Sequence, residues 1–535
     1  MTYTDWIVRY DTLTPEKRAE LRREVYALSD QPLISILLPV YNADLRFLDE
    51  AIASVRRQIY DKWELCIADD ASTNLRVRSY LEALAWSDTR IKLLFREVNG
   101  HISACSNSAL TLASGDWCAL LDQDDALAEN ALAEVACAIA GHADPGIIYS
   151  DEDFLDSLGA RSNPFFKPDW NPELFLGQNY LNHLGVYRTS LLREIGGFRE
   201  GFEGSQDYDL ALRCRARLRP DQILHVPRIL YHWRMIVGSL ADQPDAKPYA
   251  RHAARRALNS YLRECGIAAQ AEACPENAES HRVIYELPVP FPSVTILLMG
   301  RDRPSSLERT DYPALEFILA EPGAAGANFA ARNARGEVLV FLSGEIEVIE
   351  PSWLREMVSH AIRLEVGAVG ARLWSADGNL DDGDLILGLG GIAAPAFRGF
   401  PRGHPGYFNR AWLQQNCSAV SAACMVMRKE AFTQLDGFDE RNLSRRFFDV
   451  DFCLRLRQRG LQVVWTPYAN LIFRGSGSRE ESQSSAEAVY MQKQWGPQLR
   501  NDPFYNPNLS LDPPGFGIAF PPRPNDINSG QRPVR

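Results

Sequence analysis

Short apolar runs alternate along this chain with stretches whose apolar residues recur at helical spacing. Ile34-Ser35-Ile36-Leu37-Leu38 predicts a strand stopped by Pro39; Trp63 to Ala68 and Ile91 to Phe95 predict two more. Between the first two, Leu48, Ile52, Val55 and Ile59 fall at i, i+4, i+7 and i+11, which is one face of a helix. Ser103 to Ala113 reads as a helix, Trp117 to Leu121 as a strand and Leu127 to Ala140 as a helix. Gly146 to Ser150 reads as a short strand ending in Asp151-Glu152-Asp153. Alternation of this kind predicts an α/β fold, a mostly parallel sheet flanked by helices. Such sheets place their ligands at the carboxyl ends of the strands. Upstream, Thr14 as N-cap and Pro15 at the first position open a leader helix.

The pattern then repeats. Val294 to Leu298 echoes the first strand, and Asn107 with Gly115 to Asp124 aligns without a gap on Asn328 with Gly336 to Glu345. Gly197-Phe198, Asp207-Tyr208-Asp209 and Leu212-Arg213 match Gly437-Phe438, Asp449-Val450-Asp451 and Leu454-Arg455. The expected layout is a leader over 1–30, a first domain over 31–260, a linker over 261–290, a second copy over 291–499 and a proline-rich tail over 500–535. The tail is expected either to pack through its scattered aromatics or to stay partly disordered.

A length of 535 residues exceeds what one core holds, in keeping with this division. The net charge of −12 excludes nucleic acid as the main partner, because no basic surplus exists to neutralise a phosphate backbone. Ten cysteines without a CxxC pair predict free thiols in a reducing compartment. No signal-like or membrane-spanning run stands out, so a cytoplasmic protein is expected, with peripheral contact at the inner face of the membrane left open.

The chemistry concentrates in Asp122-Gln123-Asp124-Asp125, directly behind an apolar run. In an extended segment Asp122 and Asp124 share a face, and hard oxygen ligands suit Mg²⁺ or Mn²⁺. Asp124 or Asp125 could instead cap a helix starting at Leu127. Asp69-Asp70 end a strand and suit either a turn or a polar ligand. Asp207 and Asp209 stand where a helix starts, and either could cap it or pair with Arg213 or Arg215.

Five segments in order resemble the motifs of family-2 glycosyltransferases, which have the GT-A fold. They are Pro39-Val40-Tyr41-Asn42, Asp69-Asp70-Ala71-Ser72, Asp122 to Asp125, Gln206 to Leu210 with Arg213, and His232-Trp233-Arg234. The tandem layout resembles bacterial surface-polysaccharide transferases of that family. The resemblance implies two tandem GT-A-like domains and an inverting, metal-dependent hexosyl- or deoxyhexosyltransferase. It implies a UDP-, GDP- or dTDP-linked sugar donor and a glycan or lipid-linked glycan acceptor; a homodimer is compatible. Asp207 is the implied general base; Pro39, Tyr41, Asn42, Asp69, Asp70 and Asp122 the nucleotide contacts; Asp124, Asp122 and His232 the metal ligands. Trp233, Arg234 and Ser239 are implied contacts for diphosphate or acceptor. One departure is Ser106, where the family often has arginine. Asn107 is expected to cap its helix.

The second copy has Ser343-Gly344-Glu345-Ile346 in place of the acidic run, and Phe473-Arg474 about where His232 would fall. It is expected to keep the fold without the catalysis and to position acceptor or build a dimer. The rival readings are a bifunctional enzyme that relies on Glu345, or a non-catalytic glycan- or nucleotide-binding scaffold. A sugar nucleotidyltransferase would need a Gly-rich phosphate loop, which does not follow Leu38.

Overall fold

The computed structural model describes residues 1–235, 248–475 and 485–524. It divides into two compact units, residues 1–170 with 179–267, and residues 171–178 with 268–535.

The strands of the first unit are β1 (Ile34–Val40), β2 (Trp63–Asp69), β3 (Ile91–Phe95), β4 (Trp117–Leu120), β5 (Ala126–Leu127), β6 (Ile147–Leu155), β7 (Arg161–Phe165), β8 (Gly185–Arg188) and β9 (Ile223–Arg234). They form one sheet in the order β3-β2-β1-β4-β8-β6-β9-β5, with β7 paired to β6. Pairing is parallel through β3, β2, β1 and β4, and again between β6 and β9; β8 runs antiparallel to both its neighbours. The predicted helical stripe packs on this sheet from helix Leu45–Arg56, where Leu48, Ile52 and Val55 are buried. Burying each such side chain is worth about 1.5–3 kcal/mol before the entropy of ordering it. The leader helix Pro15–Tyr26 starts as expected, with the Thr14 hydroxyl accepting from the Lys17 amide.

Three local expectations are corrected. Pro39 does not stop β1, which runs to Val40: its pairing to β4 ends at Leu37, so beyond that point β1 is free on one side and tolerates a residue without an N–H. The helix expected from Leu127 begins at Ala131, because Ala126 and Leu127 pair with His232 and Tyr231 as β5. Neither Asp124 nor Asp125 therefore caps it. The third correction concerns β6, which continues through Asp151, Glu152 and Asp153, all buried. Each has a basic side chain as partner: His225 for Asp151, Lys167 and His183 for Glu152, Arg161 for Asp153, whose other oxygen lies beside His232. Charges go into a core only when paired in this way.

In the second unit the strands run Leu315–Ala320, Val294–Met299, Val338–Ser343, Cys424–Arg428, Val366–Trp374, Gln462–Phe473 and Ile346–Val348. This is the order β2-β1-β4-β8-β6-β9-β5 over again, with the same parallel and antiparallel pairings. The duplication reaches individual bonds. Asn107 is not a cap; it lies within helix His101–Leu112 and exchanges two hydrogen bonds with the backbone of Phe198 (2.8 Å each). Asn328 does the same with Phe438, at 2.9 Å each. Arg213 and Arg455 each grip an aspartate one turn earlier and two backbone carbonyls.

Residues 261–290 contain the end of helix Pro248–Glu264 and a hairpin of Ala269–Ala273 with His281–Tyr285. In the described part of the tail, Phe516 stacks on Phe397 and Tyr407, and the Arg410 guanidinium donates to the Phe504 carbonyl. All ten cysteines are free thiols, eight of them buried.

Candidate functional site

The site forms where the parallel strands end. Asp122 follows β4, and its amide donates to the Tyr231 hydroxyl at 3.3 Å. That hydroxyl in turn donates to the Asp125 carboxylate at 2.6 Å, and the Arg234 amide donates to the other Asp125 oxygen at 2.7 Å. Asp125 is thus an internal anchor joining the acidic run to β9. Burial, then the charges of Asp122 and Asp124, push its carboxyl well above the ordinary range.

Among the described residues, Asp122, Asp125 and His183 offer ligand atoms within 4.8 Å of one another. Two carboxylates and an imidazole, one carboxylate half-exposed, are a donor set that could hold a divalent cation. Sequence reasoning missed His183. It follows Asn182 between a short helix and β8, with only an isolated Asn-His pair to mark it. It stacks on Tyr231 with ring centroids 4.7 Å apart, and Glu152 takes its backbone amide at 2.6 Å. Burial works against its charged form, but the hydrogen bond and charge of Glu152, with Asp122 and Asp125, raise it to about 9. Buried Lys167 donates to the carbonyls of Asn182 and His183 and so fixes this turn.

Asp124 and His232 stand apart from that group. The Asp124 carbonyl accepts from Arg234 Nε at 2.6 Å, and His232 Nδ1 lies 2.6 Å from Asp153. Arg234 is buried, 2.7 Å from Glu50 and over the Phe47 ring, so its guanidinium braces the acidic run. Trp233 packs edge-on against Phe154 and tilts against His183. Ser239 lies outside the described residues.

Pro39, Asp122, His183, Asp207 and Tyr231 line one small cavity of about 40 Å³. Asp207 opens helix Gln206–Arg215, and its carboxylate accepts from the side-chain amides of Asn182 and Asn179. Burial raises its pKa, against the pull of His183 and these donors. Asp209 instead pairs with Arg213 (2.9 Å) and Arg199, inside the fold.

The expected nucleotide contacts divide between exposed and buried positions. Tyr41 is exposed, its amide donating to Gln123 Oε1 at 2.9 Å. Asn42 Oδ1 accepts from the Thr73 and Asn74 amides, and Asp69 holds Ser72. Asp70 is almost fully buried, 2.7 Å from Arg96 and within reach of the Gly100 amide at 3.0 Å. Its carboxylate holds the loop that starts helix His101–Leu112.

The comparable site in the second unit is altered. Arg301 stands in the register of Tyr41, Ser343 in that of Asp122 and Ile472 in that of His232, while Asp449 keeps the position of Asp207. Phe473 therefore matches Trp233 rather than His232.

Residues 35–196 match the model of the family described as glycosyl transferase family 2. An uncharacterized protein of Sinorhizobium fredii is 40% identical over 97% of this chain and 62% of its own length. The O-antigen biosynthesis protein RfbC of Myxococcus xanthus is 35% identical over 95% of this chain and 43% of its own length. The chain thus spans less than two thirds of either relative. Among solved structures, S. aureus TarS with UDP-GlcNAc matches at 18% identity and a TM-score of 0.34, over 43% of this chain and 71% of that one. Residues 35–196 of this chain are thus similar to glycosyl transferase family 2, and they include the strands β1 to β4 that lead to the acidic run.

Proposed function

We propose that the first unit moves a hexosyl or deoxyhexosyl group from a nucleoside-diphosphate donor to a glycan hydroxyl, with inversion, in bacterial surface-polysaccharide or O-antigen synthesis. The observation that carries this reading is the meeting of Asp122, His183 and Asp207 on one cavity beneath Pro39. The kinship with an O-antigen biosynthesis protein supports the product class.

Asp207 is the general base. A carboxylate made more basic by burial, and oriented by Asn182 and Asn179, takes the proton of the acceptor hydroxyl. As that proton leaves, the acceptor oxygen bonds the anomeric carbon while the bond from that carbon to the donor phosphate breaks. With the base and the departing phosphate on opposite faces, configuration inverts. Asp122, Asp125 and His183 would hold Mg²⁺ or Mn²⁺, with Asp124 adjacent, and the ion supplies counter-charge to the leaving diphosphate. Tyr41 offers an exposed ring to the base, and Asn42, Asp69 and Asp70 shape the loops around it. The second unit, without the acidic run or His232, keeps Asp449 but not the donor machinery.

A thermal-shift screen of UDP-, GDP- and dTDP-sugars with Mn²⁺ tests this. A donor at 100 times its Kd stabilises the fold by about 2.7 kcal/mol. If no donor moves the unfolding temperature with Mn²⁺ present, the reading is wrong.

A further inference from the structure

The second unit holds a cavity far larger than the first unit's, about 740 Å³, at the carboxyl ends of strands Val294–Met299 and Val338–Ser343. That size is typical of a ligand site. Arg301, Arg445, Glu345, Asp382, Asp449 and Phe473 line it. Asp449 is buried, one oxygen accepting from the Ala422 amide at 3.0 Å and the other from the Val450 amide at 2.9 Å. Arg301 and Arg445 bring two guanidinium groups to the lining, and neither pairs with a carboxylate among the described residues.

This lining has three properties together. Guanidinium and carboxylate are both present in number, so neither a polyanion nor a polycation is favoured by the overall charge. No group of three metal ligands occurs in it among the described residues, so a diphosphate would lack the counter-charge available near Asp122. Carboxylate acceptors, guanidinium donors and an aromatic face at Phe473 are what a saccharide requires: hydroxyls that donate and accept, and a C–H face that packs on a ring.

We propose that this cavity is a metal-independent saccharide site, in which the duplicated domain has exchanged donor binding for glycan binding. The inference deepens the reading above, since a transferase acting on a glycan gains effective concentration from a second hold on it.

The test uses the full chain in EDTA on an array of bacterial surface oligosaccharides, followed by calorimetry with the tightest one. Binding is expected without metal, and at least tenfold weaker in Arg301→Ala and in Asp449→Asn. Unfolding curves that overlay the wild type separate loss of binding from loss of fold. The Arg301 variant, at an exposed position, keeps the test valid if Asp449→Asn unfolds. Three results overturn the proposal. They are no oligosaccharide bound, binding lost in Asp207→Asn but kept in both second-unit variants, or displacement of the saccharide by inorganic pyrophosphate. Because neither donor nor metal is used, a failed transfer assay leaves this result independent.

Discussion

Tyr231→Phe removes a single oxygen, yet that oxygen joins β9 to both ends of the acidic run. It accepts the Asp122 amide at 3.3 Å and donates to Asp125 at 2.6 Å. The ring is fully buried and stacked on His183, so the phenylalanine ring keeps its packing. A buried carboxyl loses one of two donors and a backbone amide loses its acceptor. Leaving buried polar groups unmatched costs about 1–3 kcal/mol each, so about 2 kcal/mol is expected after the weak 3.3 Å bond is discounted. For a unit of this size the unfolding temperature falls by about 4–8 °C. The same change frees Asp122 to shift, and displacement of a site group by about 1 Å can cost about 100-fold in rate. Scanning calorimetry reads the first effect and a Mn²⁺-dependent transfer assay the second. A variant that matches the wild type in both would refute the view that Tyr231 positions the acidic run.

Further expectations follow from other residues. Glu64 receives Lys92 (2.6 Å), Ser35 (2.7 Å) and the Ser114 amide and hydroxyl, which against the desolvation of burial hold it at about 2 rather than 4.5. Because its folded pKa is depressed, its contribution is fully present above pH 4.5 and is lost as pH falls toward 2. Two and a half units correspond to about 3 kcal/mol, so Glu64→Gln should be less stable at pH 7 by up to about that amount, with the gap closing by pH 2. A gap in urea midpoints that does not vary with pH would count against this. Gly197 has φ +68° and faces Asn107 Oδ1, so Gly197→Ala should cost about 1–3 kcal/mol in chemical denaturation, whereas Ala at exposed Gly141 should cost little. Asp207→Asn should lower kcat about 10²–10⁴-fold in a transfer assay while leaving donor Kd within a few-fold.

Much of the fold was legible because its central parallel strands β1 and β2 are buried on both faces and so appear as apolar runs; β2 and the edge strand β3 lie within a residue of expectation. Where the sequence misled, long-range pairing had overridden local pattern. Asp151 to Asp153 look like the end of a strand, and become its interior only because His225, Lys167, His183, Arg161 and His232 arrive from distant segments. Ala126 and Leu127 continue a helical pattern but are claimed by β9. The site followed the same rule. Asp122 and Asp207 were legible from motif order and share a cavity, whereas His183 and Tyr231 carry no local mark and are brought there by the sheet. His232 and Arg234 had a mark, yet their side chains serve Asp153, Glu50 and the Asp124 backbone.

In the proposal above, the first unit holds a metal-bound nucleoside diphosphate beside Asp207 through Asp122 and its neighbours. The most direct test of that proposal is calorimetric titration of UDP, GDP and dTDP with Mn²⁺ into the wild type, Asp122→Ala and Glu345→Ala. One nucleotide is expected to bind the wild type and Glu345→Ala alike, with binding at least 100-fold weaker in Asp122→Ala. Unchanged binding in Asp122→Ala, or an equal loss in Glu345→Ala, would contradict it.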